Sequence, residues 1–123
     1  VLRRALSDML LGKTVDIHID RPLGSHHPKH TDMIYPVNYG YVPHIFSADG
    51  EEVDVYLLGV SEPVEKYKGR VIAVIHRLDD VEDKWIAAPT GVTFTPDEIE
   101  KAVNFQEQYF QHEIEMLDPN GNQ

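Results

Sequence analysis

Thr14-Val15-Asp16-Ile17-His18-Ile19-Asp20 alternates without a break. Val15, Ile17 and Ile19 fall on one face and Asp16, His18 and Asp20 on the other, which is the period of a half-buried β-strand. The segment that follows, 21–30, holds Pro22, Gly24 and Pro28 and reads as a loop. Residues 33–42 are rich in β-branched and aromatic side chains, with Pro36 and Gly40 interrupting them. That pattern reads as a bent or bulged strand. Ala48-Asp49-Gly50 is a turn, and 53–60 is another strand. Residues 71–75 and 85–88 form a strand pair joined by the acidic turn 78–83, with Trp85 as a core residue. Ahead of all this, 3–11 reads as a short helix.

The period changes near the C-terminus. Thr95-Pro96-Asp97-Glu98 is a capping box with proline at the first helical position, and Phe94 is placed to staple onto Ile99. Beyond it Ile99, Ala102, Val103, Phe110, Ile114 and Leu117 form an apolar stripe at helical spacing, which predicts one long helix stopped by Asp118-Pro119-Asn120-Gly121. Phe105, Tyr109, His112 and Met116 form a second stripe, suited to a site or another subunit. Short strands first and a helix last predict an α+β, mainly β chain. Its architecture is a small barrel with a packed C-terminal helix.

The 123 residues suffice for a single domain spanning 1–123 with a real core. No apolar run is long enough for a membrane helix, and no cysteine is present to form a disulfide or a thiolate site. A cytoplasmic location fits that composition. The net charge is −10, with acidic residues outnumbering Lys and Arg 21 to 11, so a nucleic-acid partner is disfavoured. Carboxylates in excess keep a protein soluble. Where they converge they also bind hard cations.

The densest such signal is Asp49-Gly50-Glu51-Glu52-Val53-Asp54-Val55, with a second in Asp79-Asp80-Val81-Glu82-Asp83-Lys84. Each is either a solvated turn or half of an oxygen cage for divalent ions. Tyr35-Pro36-Val37-Asn38-Tyr39-Gly40-Tyr41 places three phenols at even spacing, as core aromatics or as a hydroxyl-bearing wall facing phosphate oxygens. Lys29 and Lys84 add positive charge for such a phosphate. His26, His27 and His30 in one loop suggest zinc less strongly than they suggest a solvated segment.

Taken together, the tyrosine block and the Asp-Gly-x-x-Val-Asp-Val that follows it resemble the family I soluble inorganic pyrophosphatases. The resemblance runs from about residue 14 to 112. It implies a closed OB-like five-stranded barrel, Mg²⁺ (or Mn²⁺) as cofactor, pyrophosphate as substrate and a homo-oligomer. By position it implies Glu51 as the catalytic base. It assigns Asp49, Asp54, Asp79, Glu82 and Asp20 to metal, and Lys29, Tyr39, Lys84 and Tyr109 to substrate. The sequence departs from the family in specific places. Glu51 and Glu82 stand where aspartates belong, and the acidic turn 79–84 is two residues shorter. The segment between Lys29 and Tyr35 is shortened and lacks its arginine, and Phe110 replaces a lysine after Tyr109. Two phosphate-binding cations are thereby missing. The alternatives are a hydrolase of another diphosphate or phosphate ester, and a non-catalytic metal-binding module on the same fold.

Overall fold

The computed structural model describes residues 9–47, 49–79 and 82–117. The elements run β1 (Thr14–Arg21), β2 (Asn38–Phe46), β3 (Glu52–Leu57), β4 (Lys66–Arg77), β5 (Asp83–Ala88), α1 (Pro96–Glu107) and β6 (His112–Met116). Strands pair in the order β1-β2-β3-β5-β4-β6, and β1 also pairs β4. That second pairing closes β1, β2, β3, β5 and β4 into a five-stranded barrel, as the family resemblance implies. Among these pairings only β3 and β5 run parallel. The long β4 makes closure possible. Its first residues, Lys66 to Arg70, pair β1, and its last, Ala73 to Arg77, pair β6.

Period two divides the apolar residues between the two faces of the wall. Val15, Ile17, Val42, Val53, Val55, Leu57, Val71, Val74, Trp85 and Ala87 cluster together, drawing on all five barrel strands, and so fill the interior. Tyr39, Tyr56, Ile75, Ile86 and Ala88 form a second cluster with Tyr35 and with Ile99 and Val103 of α1. It lies on the outer face, under the helix. Trp85 is a core residue with 1 % of its surface exposed.

A bulge interrupts the pairing of β1 with β2. His18 pairs Tyr41 and Ile19 pairs Gly40, but Arg21 pairs Tyr39, so Asp20 is an extra residue on β1. The strands press together there: a Cβ on Gly40 would lie 1.9 Å from the His18 carbonyl oxygen, so only glycine fits.

The capping box forms as the sequence predicts, with Glu98 N–H donating to Thr95 Oγ1 at 3.1 Å and Thr95 N–H to Glu98 Oε1 at 2.8 Å. The helix does not continue to Leu117, however. It ends at Glu107, and 112–116 return as β6 against β4. His112, Ile114 and Met116 alternate with Glu113 and Glu115, a strand period that helical spacing of the same apolar residues conceals. The second helical stripe dissolves with this correction. Phe105 and Met116 both pack against the outer cluster, so neither is an uncovered patch. The segment 33–42 begins its strand only at Asn38. The expected N-terminal helix lies outside the described residues except at its end, where Leu10 and Leu11 are buried; the stop signal 118–121 lies wholly outside them.

Candidate active site

The outer face of the barrel carries a cavity of about 920 Å³ beside α1. Asp20 and Arg21 of β1, Tyr39 of β2, Asp54 of β3, Arg77 of β4 and Lys84 of β5 line it, and Phe105 and Gln106 of the helix form its side. The loop before β2 contributes His27, His30, Asp32, Met33 and Ile34, and the turn after α1 contributes Tyr109 and Phe110.

Lys84 stands in register with Asp54 on the neighbouring parallel strand. Its Nζ donates to Asp54 Oδ2 at 2.6 Å and to the Tyr39 hydroxyl at 3.0 Å, and pairs with Glu82 Oε2 at 3.2 Å. Two of the ammonium protons are thus donated, and a second carboxylate lies within ion-pair distance. Burial pulls the Lys84 pKa down, but the Tyr39 oxygen and the Asp54 carboxylate outweigh it and hold the group above its ordinary value. Burial pushes the Tyr39 hydroxyl up to about 12. Since Tyr39 accepts from Lys84, its own proton is free to donate into the cavity.

Beneath the cavity runs a buried chain of hydrogen bonds. Arg21 Nη1 donates to the Tyr35 hydroxyl, which donates to Gln106 Oε1 at 3.1 Å. Gln106 Nε2 donates to Tyr56 at 2.6 Å, and Tyr56 donates to Glu107 Oε2 at 2.7 Å. Glu107 is fully buried and takes Arg77 Nε at 3.0 Å and Nη2 at 2.7 Å. Burial alone would raise its pKa, but the bonds from Arg77 and Tyr56 lower it below the ordinary carboxylate value. Arg77 Nη1 reaches Glu82 at 3.0 Å, and the guanidinium lies 3.7 Å from the centre of the Phe110 ring.

Of the site residues expected from the sequence, Asp20, Tyr39, Asp54, Glu82, Lys84 and Tyr109 line this cavity together. Asp49, Glu51, Asp79 and Lys29 do not. Asp49 and Glu51 are exposed on the turn between β2 and β3, where Asp49 accepts from Ser47 and from Glu51 N–H. Asp79 lies past the end of β4 and accepts Gln111 N–H at 3.4 Å. Lys29 is exposed in the loop before β2. Asp80 lies outside the described residues. Arg21, Arg77, Gln106 and Glu107 are additions that the sequence reading does not single out. A signal for the last two exists: they follow Ile99 and Val103 on the buried helical face, where a carboxylate demands a cation.

Metal fit turns on the donor set. Among the described residues no three carboxylates or histidines converge to cage an ion. Of the expected ligands the cavity brings together Asp20, Asp54 and Glu82, and Glu82 is paired with Arg77 and Lys84, which leaves Asp20 and Asp54 as the oxygen pair; burial raises the Asp20 pKa and the charge of Asp54 adds to the rise, against the charge of Arg21. Mg²⁺ is commonly held by one or two carboxylates with substrate phosphates and water completing the shell. An oxygen pair of this kind fits an ion carried in with its substrate.

A family model described as inorganic pyrophosphatase matches residues 13–116. The chain belongs to the inorganic pyrophosphatase family. It is 38 % identical over 65 residues to an inorganic pyrophosphatase of Rickettsia felis and 31 % identical over 97 residues to one of Caulobacter vibrioides. These alignments cover 50 % and 67 % of the chain, but only 38 % and 55 % of those relatives. The crystal structure of an inorganic pyrophosphatase from Ehrlichia chaffeensis superposes with a TM-score of 0.67 at 20 % identity, covering 86 % of this chain and 87 % of that one, and shares the fold. Within this pyrophosphatase fold Phe110 does face the cavity, beneath Arg77.

Proposed function

We propose that the chain hydrolyses inorganic pyrophosphate to two phosphates with a divalent cation, Mg²⁺ by preference and Mn²⁺ as the alternative. The observation that carries this reading is the Tyr39–Lys84–Asp54 cluster opening on the cavity, a hydroxyl donor and a fixed positive charge beside a carboxylate. Asp20 and Asp54 are the residues that would hold the ion, and what it supplies when bound is Lewis acidity toward water and the phosphoryl oxygens.

The chain's own groups do the rest. Lys84 fixes the Tyr39 oxygen as an acceptor, so the Tyr39 proton points at a phosphoryl oxygen, where charge-assisted donation is strongest. Glu82 neutralises Lys84 and Arg77, holding both in place. Tyr109, 68 % exposed at the mouth, adds a second phenol. Glu51 keeps the role of base that its position implies, and Asp49, Asp79 and Lys29 their metal and phosphate roles. For these four the proposal requires the surrounding turns to close toward the cavity when ion and substrate bind. Assembly into a homo-oligomer rests on the resemblance, and a cytoplasmic location on the composition. No helix among the described residues is long and apolar enough to cross a membrane.

The apolar wall of Met33, Ile34, Phe105 and Phe110 favours one second reading, an organic diphosphate. Phosphate release measured with Mg²⁺ on pyrophosphate, beside organic diphosphates and phosphate esters, decides between them. Pyrophosphate should be turned over fastest, and exhaustive EDTA should abolish turnover. No release from pyrophosphate would overturn the proposal.

A further inference from the structure

We propose that His27 is a positioning residue of the cavity: as the neutral imidazole alone, it latches the loop ahead of β2, whose side chains form one wall of the site. This assignment rests on the proposed function, whose substrate that wall confines. It adds a residue to which the resemblance gives no role.

The segment from Ser25 to Tyr35 doubles back on itself. Tyr35 N–H donates to the Ser25 carbonyl at 2.9 Å, His27 N–H to that of Met33 at 2.9 Å, and Met33 N–H to that of His30 at 2.8 Å. His26 and Ile34 form an isolated antiparallel bridge. This folding brings His30, Asp32, Met33 and Ile34 to the cavity. Two histidine rings close the tip of the loop, in opposite senses. His26 Nδ1 lies 2.6 Å from the Thr31 carbonyl oxygen, so it carries a proton and donates. His27 Nδ1 instead accepts, from Lys29 N–H at 3.0 Å and from His30 N–H at 3.2 Å. The neighbouring histidines are therefore different tautomers, and acid acts on them differently. His26 can gain a proton on Nε2 and keep its bond. His27 cannot, because a proton on Nδ1 takes the lone pair that both amides use.

The His27 ring stacks on Tyr35, with 6.2 Å between centres and 11° between planes, and its centre lies 5.0 Å from that of His30. Tyr35 is bonded in turn to Arg21 and Gln106, so the latch stands on the hydrogen-bond chain beneath the cavity. The charged and titratable groups about the ring are Arg21 from β1, Tyr35, and Lys29 and His30 from its own loop. Burial lowers the His27 pKa, and the positive charges of Arg21, His30 and Lys29 lower it further. The surroundings thus favour the same neutral form that the two amides require. With the folded value depressed, the contribution of the latch is full above the ordinary imidazole value of 6.5 and is lost as pH falls through the folded one. An unlatched loop must be ordered again when substrate binds, so apparent affinity falls with the latched fraction.

Imidazole nitrogen NMR, amide hydrogen exchange and steady-state kinetics on pyrophosphate with Mg²⁺ test this. At about pH 8 the wild-type spectrum should show the His27 proton on Nε2, and a proton on Nδ1 there overturns the proposal. Protection factors of the Lys29 and His30 amides should fall about fivefold or more between about pH 8 and pH 5, and constant protection overturns it equally. His27→Ala removes the acceptor, whereas His27→Asn offers an oxygen near the place of Nδ1 and cannot titrate. At about pH 8, KM should rise about five- to thirtyfold in His27→Ala and return to within about threefold of wild type in His27→Asn, with kcat changing less than about threefold in either. The ratio of wild-type KM to that of His27→Asn should then climb at least about threefold from about pH 8 to pH 5, since only the wild-type loop unlatches. Protonation of pyrophosphate itself cancels in that ratio. Wild-type KM in His27→Ala, or a ratio that does not move with pH, overturns the proposal. Should His27→Ala fail to fold, the His27→Asn ratio and the wild-type spectra decide. If wild-type protein does not hydrolyse pyrophosphate, the proposed function fails alone, since tautomer and exchange are read without turnover.

Discussion

At neutral pH Tyr39 keeps its proton, because burial pushes its hydroxyl up to about 12. Its value to a phosphate is directional: Lys84 occupies the oxygen lone pair and leaves the hydrogen for the cavity. Tyr39→Phe removes that hydrogen together with the oxygen that accepts from Lys84, so kcat/KM for pyrophosphate should fall about ten- to a hundredfold and the melting temperature should drop by a few degrees. Glu51→Gln probes a different step. A lost base should lower kcat by about two to four orders of magnitude and leave inorganic phosphate affinity untouched. Normal kcat in that variant would remove Glu51 from the mechanism. Tyr39, Asp54 and Lys84 are legible in the sequence because each sits in a dense local pattern that fixes its face of the strand. Arg21 is not legible, because its face depends on a bulge, and nothing in Ile19-Asp20-Arg21-Pro22 announces which residue the partner strand will skip.

β6 shows the same limit one level up. Ile114 and Leu117 satisfy a helical stripe as well as Ile114 and Met116 satisfy a strand, so periodicity alone leaves the segment undecided, and the open edge of β4 settles it. The capping box at Thr95, by contrast, is local chemistry and survives into the structure unchanged. What holds β6 in place includes His76 on β4, whose Nδ1 meets Asp83 of β5 at 3.0 Å and whose Nε2 meets Glu115 of β6 at 2.8 Å. The hydrogen bond from His76 to Asp83 leads in raising the His76 pKa above its ordinary value, against a cost from burial, with Glu115 adding to the rise. A raised folded pKa contributes stability that is fully present below the unfolded value, near 6.5, and is lost as pH climbs through the folded one. Wild type should therefore exceed His76→Gln in melting temperature at about pH 5.5, with the gap closing by about pH 8.5. A gap constant across that range, or widening with pH, would show that the staple does not titrate.

Across the whole molecule, the hydrogen-bond chain from Arg21 to Arg77 ties β1, the loop before β2, β3, the last turn of α1 and β4 into one unit. Its anchor is the buried Arg77–Glu107 pair, and breaking such a pair from one side leaves a bare charge. Glu107→Gln should cost about 3–5 kcal/mol in denaturant unfolding, and adding Arg77→Met should recover part of that loss. Equal stability of Glu107→Gln and wild type would mean the pair carries no weight. The barrel that this chain braces has a solid interior and carries its candidate site on the outside of its wall. β3 is thus two interleaved texts. Val53, Val55 and Leu57 face the interior, while Asp54 lines the cavity and Tyr56 supports its floor. A saturation scan that scores cellular abundance and catalytic turnover separately should read them apart. Damage at the odd positions would remove the protein itself, damage at Asp54 would leave it present and idle, and the two kinds of loss would alternate residue by residue along a single strand.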